Sequence, residues 1–182
     1  MDHLWNRTIY QTIELLRTEP SIRFIHRLTS MKHSVCIIPH LFLGNFINAK
    51  NEDFLKEYKI EYIVNCTDSE PFHHYILEEN KLRIPVKDSK DNNNIIEFIS
   101  CINSAVEFIH NAIKLKKNVY VHCHYGLMRS PTVIIAYLMK YEKMNKENAI
   151  EWVKNKRPGS FSSLYNFDNV INSYEEYLKK KE

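Results

Sequence analysis

The stretch VYVHCHYGLMRSPTVIIAYLM, residues 119 to 139, passes from a β-rich apolar run into one of helical character, with Cys123, Gly126 and Arg129 at the joint. If residues 119 to 122 form a buried strand and Pro131 takes the first helical position, Ser130 becomes the N-cap and residues 123 to 129 the connecting loop. The unpaired N–H groups and dipole of a helix start suit an anion, and Gly126 lets the loop curl so that successive N–H groups point inward. Arg129 adds a planar fork that can donate two hydrogen bonds to phosphate oxygens. The same field acts on Cys123: beside a helix N-terminus and a guanidinium, a thiol pKa falls to roughly 3.5–7.5, which gives a thiolate at neutral pH. A single Cys at the end of a buried strand is ordinarily a small apolar filler. Here His122, Cys123, Gly126, Arg129 and Ser130 lie together between a strand and a helix, and the set points to a phosphate-handling site with its own nucleophile.

Outward from the joint, the elements alternate. The segment VCIIPHLFLG predicts two short strands meeting at Pro39 and ending at Gly44. A helix is expected over residues 48–58, strands over 61–67 and 81–86, a long helix carrying Ile95, Ile99, Ile102, Val106, Ile109 and Ile113, and a strand over 118–123. Three helices follow, over 131–144, over 146–157 with a break at Pro158 and Gly159, and over 169–181. Such alternation argues for an α/β layer fold. Ahead of it, Trp5, Ile9, Ile13 and Leu16 recur at helical spacing up to Pro20, and a second short helix is read over residues 21–30. This gives an N-terminal helical extension, 1–33, and a globular domain, 34–182.

With 182 residues the chain fits one domain. Its formal charge is +3, with both signs interleaved, which excludes the continuous basic face of a nucleic-acid binder. Four cysteines without a CxxC pair (Cys36, Cys66, Cys101, Cys123) fit reduced thiols in a cytosol-like compartment better than a disulfide framework or a zinc site. The N-terminus lacks an apolar signal core and the longest apolar run is too short to cross a bilayer, so a soluble, cytoplasmic protein without a membrane partner is expected.

The segment HCHYGLMRS resembles the HCxxGxxRS signature of the cysteine-dependent protein phosphatases. IPHLFLGNFINAKN, YIVNCT, RIPVKDSKDNNNI, RSPTVIIAYLMKYEKM, AIEWVKNKRP and YNF follow in order the pattern of the dual-specificity phosphatases, from about residue 35 to the C-terminus. The compact length and the N-terminal helix most resemble the poxvirus-type members. The resemblance implies a central mixed, mainly parallel sheet flanked by helices, and phosphomonoester hydrolysis on phosphorylated proteins with no metal or other cofactor. It implies a phosphocysteine on Cys123, with phosphate held by Arg129 and the loop residues His124, Tyr125, Gly126, Leu127 and Met128. Asp88 in IPVKD is the position-matched general acid and base, with Asp91 in reserve, and Ser130 matches the hydroxyl that helps release the thiolate. His122, a strand neighbour of Cys123, points to the opposite face and cannot serve as its base. In the family this His bonds the loop and tunes the thiolate. Asn166 matches an Asn that braces the loop, or is an ordinary polar residue at a helix start. Cys66 reads as packing, with trapping of oxidised Cys123 as its alternative.

Tyr125 stands where a small residue is usual and Pro131 where Gly, Ala or Thr is common. Pro131 is compatible with a helix start, whereas Tyr125 bears on substrate choice. RNA 5′-phosphatases on the same scaffold resemble HCTHGxNRTG, which Tyr125, Met128, Ser130 and Pro131 do not match. Phosphoinositide phosphatases place lysines in the loop where this chain has His124 and Leu127. A catalytically silent phosphate-binding module would ordinarily lack the Cys, the Arg or the acid. The N-terminal stripe of Trp5, Ile9 and Ile13 either packs on its own domain or, as in the poxvirus-type relatives, forms a homodimer.

Overall fold

The computed structural model describes residues 34–87, 92–161 and 167–181. The helices read within residues 1–33, and the candidates Asp88, Asp91 and Asn166, lie outside them. The described residues open with an antiparallel pair, β1 (Val35–Ile38) and β2 (Leu41–Asn45), turned at Pro39 and His40. His40 takes the turn's left-handed backbone, φ 68°, and its carbonyl accepts the Val119 N–H at 2.8 Å, tying the hairpin to the next strand in space. The remaining strands, β3 (Ile60–Asn65), β4 (Lys81–Arg83) and β5 (Asn118–Cys123), run parallel to β2 in a sheet of order β1-β2-β5-β3-β4. The sheet is thus mixed and mainly parallel.

Side-chain alternation on β5 divides the core. Val119 and Val121 enter the main cluster, on the face covered by α3 (Asn92–Lys114), α4 (Arg129–Tyr141), α5 (Lys146–Lys156) and α6 (Asp168–Lys179). Tyr120 points the other way, into a smaller cluster with Ile60, Ile63, Ile76, Ala49 of α1 (Phe46–Ala49) and Leu55 of α2 (Glu52–Glu57). Burial on both faces explains the unbroken apolar run of β5. The α3 stripe of Phe98, Ile102, Ala105, Val106 and Ile109 is fully buried, each large side chain contributing about 1.5–3 kcal/mol of transfer free energy. Helix α4 is buried all round from Arg129 to Met139, the mark of a central helix.

Three of the differences between expected and observed boundaries have a clear physical cause. The helix expected over 48–58 is two, because Asn51 caps a new start by accepting the Phe54 N–H at 3.1 Å, just as Asn45 accepts that of Asn48. The strand expected over 81–86 ends at Arg83, since the Val86 N–H turns back on the Ile84 carbonyl at 2.8 Å and leaves the ladder. Ser130 is not the N-cap of α4: the helix begins at Arg129, after Met128, without a side-chain cap. Pro131 still lies in the first turn, where no intrahelical partner is required of its missing N–H. The Ser130 hydroxyl is engaged elsewhere.

The order of the sheet brings the C-terminal end of β5 between β2 and β3, opposite Asn45 and Asn65, which is where parallel α/β sheets place their ligands. The loop that follows crosses close over β2. Gly126 has φ +72°, and a Cβ there would run into the Gly44 carbonyl. Gly126→Ala is therefore expected to destabilise the domain by about 1–3 kcal/mol, read by chemical denaturation, through backbone strain and the displaced loop together.

Candidate active site

Cys123 closes β5, and its Sγ sits beneath the loop, accepting the Gly126 N–H at 3.2 Å and the Ser130 hydroxyl at 3.3 Å. The thiol is 2% exposed. Burial alone drives a thiol toward its protonated form. The Arg129 charge and the hydrogen bonds from Ser130 and Gly126 outweigh that burial and hold the Cys123 pKa below its ordinary value. The arrangement favours a thiolate at the floor of a loop that leads into the N-terminus of a thirteen-residue helix.

Arg129 is buried and donates from Nη1 to the Val86 carbonyl at 3.0 Å. That bond fixes its fork and brings the chain two residues before Asp88 against the loop. His122 is fully buried, and burial pushes its pKa down to about 3, so the imidazole is neutral. Its Nδ1–H donates to the Cys123 carbonyl at a long 3.4 Å, while Nε2 has no hydrogen-bond partner among the described residues. It supports the loop's floor and faces away from the nucleophile.

The loop side chains separate into two groups. Met128 is buried in the main core and Leu127, half-buried, packs against it, so what these apolar residues can offer an anion is backbone N–H. His124 and Tyr125 lie at the rim. The His124 ring stacks on Phe46 at 4.4 Å and meets the Tyr125 ring edge-on at 4.5 Å. Its Nδ1–H donates to Glu70 Oε1 at 2.9 Å, the carboxylate being able only to accept. Cys66 is completely buried, and burial, followed by the Cys123 charge, keeps its thiol protonated, as a packing residue requires.

Several residues that hold this geometry went unnoticed in the sequence. Arg83 donates to the Thr67 and Glu70 carbonyls, each at 2.9 Å, and Asn65 Nδ2 donates to the Glu70 carbonyl at 2.8 Å, which together set Glu70 against His124. Arg157, 2% exposed, donates to the Gly126 carbonyl from Nε at 2.9 Å and to the Tyr125 carbonyl from Nη2 at 3.1 Å. Pro158 and Gly159 had marked only a helix break; the cation just before them was the available signal.

Among the described residues, Glu52, His73 and His74 are the one group whose potential metal-ligand atoms lie within 4.8 Å of one another. They fit a metal poorly. His73 Nδ1 accepts the Tyr75 N–H at 3.1 Å, which puts the ring's proton on the Nε2 that faces Glu52, and Lys56 already pairs with that carboxylate at 2.6 Å. No helix among the described residues is long and apolar enough to cross a membrane.

The family model described as "Dual specificity phosphatase, catalytic domain" matches residues 41–177. Dual specificity protein phosphatase 8 of Mus musculus is 36% identical over 143 residues, which cover 79% of this chain and 21% of that protein. Tyrosine-protein phosphatase vhp-1 of Caenorhabditis elegans is 34% identical over 145 residues, with the same two shares. The crystal structure of human DUSP28 has a TM-score of 0.71 at 25% identity, covering 80% of this chain and 95% of that one. The chain spans about a fifth of the length of the two curated relatives named. On the family match and these identities, the chain belongs to the dual specificity phosphatase family.

Proposed function

We propose that this chain hydrolyses phosphotyrosine and phosphoserine or phosphothreonine in phosphorylated proteins through a phosphocysteine on Cys123. The observation that carries this is the Cys123 Sγ itself, favoured as a thiolate and held by Gly126 and Ser130 at a helix N-terminus beside Arg129. In the first step the Sγ lone pair forms an S–P bond as the bond from phosphorus to the leaving oxygen breaks. Charge on the equatorial oxygens is met by Arg129 and the N–H groups of residues 124 to 128. The leaving oxygen takes a proton from Asp88, the acid assigned by its position in IPVKD. In the second step the Asp88 carboxylate accepts a proton from water as the water oxygen attacks phosphorus. The S–P bond breaks, its electrons return to sulfur, and the Ser130 hydroxyl stabilises the returning thiolate. Phosphate leaves and Asp88 is again an acid.

The deciding experiment measures phosphate release in EDTA from a phosphotyrosine peptide, a phosphoserine peptide and a 5′-triphosphate RNA, with Cys123→Ser as control. Turnover of the peptides is expected, and the ratio between them reports how Tyr125 and His124 shape the rim. Turnover of RNA alone would move the chain to RNA processing, and silence on all three would leave a phosphate-binding module.

In that assay Cys123→Ser is expected to abolish turnover while inorganic phosphate still binds, since the cradle remains and the nucleophile does not. Asp88→Asn is expected to slow phosphoserine hydrolysis by roughly 10²–10⁴, and hydrolysis of an aryl phosphate with a weakly basic leaving oxygen much less. Equal losses on both would point to Asp91, or to no acid at all. Removing the Ser130 hydroxyl disfavours the charged sulfur, so its pKa must rise. The acid limb of kcat/KM, lost as pH falls through the thiol pKa, is expected to move to higher pH in Ser130→Ala.

A further inference from the structure

A loop that turns its N–H groups inward must turn its carbonyls outward, because the N–H and C=O of a trans peptide point in opposite directions. Those carbonyls then face protein and need donors. Three successive ones are collected by the single short segment Arg157 to Phe161. Arg157 Nη2 takes the Tyr125 carbonyl at 3.1 Å and Nε the Gly126 carbonyl at 2.9 Å, which Ser160 Oγ also approaches at 3.5 Å. The Phe161 N–H takes the Leu127 carbonyl at 2.7 Å. Left-handed backbone at Gly159 (φ 87°) and Phe161 (φ 52°) turns the segment beneath the loop, and Arg157 and Ser160 are both buried there.

The peptide joining Tyr125 to Gly126 shows what this achieves. Its oxygen is held by Arg157 and its N–H donates to Cys123 Sγ, so both ends of one rigid plane are fixed. In the next two peptides Arg157 and Phe161 hold the oxygens, which points the Leu127 and Met128 N–H groups to the opposite side. A cationic donor on a carbonyl also polarises the peptide and strengthens its N–H as a donor.

We infer that Arg157 is a positioning residue of the phosphate cradle: it holds the Tyr125 and Gly126 carbonyls outward so that the loop N–H groups stay aimed at the anion and at Cys123 Sγ. It does not touch the substrate. Its fork spans two carbonyls, which an ammonium cannot reproduce. The inference rests on the loop after Cys123 being the phosphate site proposed above.

The test needs no substrate turnover. In the full chain, alkylation of Cys123 by neutral iodoacetamide is followed by peptide-level mass spectrometry, which separates it from the exposed Cys36. The pH midpoint reports the thiolate, and protection by inorganic phosphate reports the cradle. Among the described residues, the charged and ionisable groups that act electrostatically on Cys123 include Arg129, Arg157, Cys66 and Tyr120. Thermal melting shows which variants fold. Arg157→Lys is expected to weaken phosphate protection about tenfold or more and to raise the midpoint less than Arg157→Met does, because the charge is retained while the hold on the Gly126 N–H is loosened. Arg157→Met is expected to weaken protection as much and to raise the midpoint. A folded Arg157→Lys with wild-type protection overturns the inference, whether or not its melting temperature falls, and it decides the matter alone if Arg157→Met does not fold. Wild-type protein that phosphate fails to protect overturns instead the placing of phosphate in this loop.

Discussion

The architecture answers one electrostatic demand: lowering the pKa of a thiol that is almost wholly withdrawn from water at the end of a central strand. Burial of Cys123 works against the thiolate, and Arg129, Ser130 and Gly126 offset that cost at short range. Each then imposes a requirement of its own. Ser130 must enter the first turn of α4 to reach the sulfur, so it cannot cap the helix. Gly126 must adopt left-handed backbone close against β2, which excludes any side chain there. Arg129 must be tethered from below, and Val86 does so by curling out of the ladder that β4 had begun.

The distribution of buried polar groups follows from the same demand. Asn45, Asn65, Thr67, His122, Arg129, Ser130, Thr132, Arg157 and Ser160 are buried, and they gather at the C-terminal end of the sheet, in or beside the loop. The face covered by α3 to α6 is packed with apolar side chains. Polar burial is tolerated where each group is bonded. Asn45 and Asn65 flank β5 and serve the turns beside it, one capping α1 and the other binding the Thr67 N–H and hydroxyl together with the Glu70 carbonyl. The neutral imidazole of His122 adds bulk beneath the loop without a second charge.

Much of this was legible in the chain. The limits of β5 match the expected strand, because an apolar β-rich run ending in Cys, Gly and Arg has few alternatives. The long amphipathic α3 and the approximate positions of α4, α5 and α6 were equally readable from period alone. What stayed hidden depends on partners far away in sequence. The division at Asn51 and the end of β4 follow from a side-chain cap and a turned peptide that periodicity does not register. Arg157 lies 31 residues from the carbonyl it serves, and its role exists only once the loop is folded. Glu70 is 54 residues from His124 and is brought to it by a hydrogen-bonded turn anchored on Arg83.

The packing of Met128 in the core and of the partly buried Leu127 against it has a consequence for how such a loop diversifies. Half of its variable positions answer to the core, so substitutions there are judged by volume and shape before any ligand arrives. His124 and Tyr125 lie outside that core cluster, His124 against Phe46 and Glu70 and Tyr125 edge-on to the His124 ring. Variation at two adjacent side chains can therefore reshape the rim without disturbing the loop's packing beneath it, and a designer who wished to alter what the rim accepts would vary residues 124 and 125 while leaving 127 and 128 fixed.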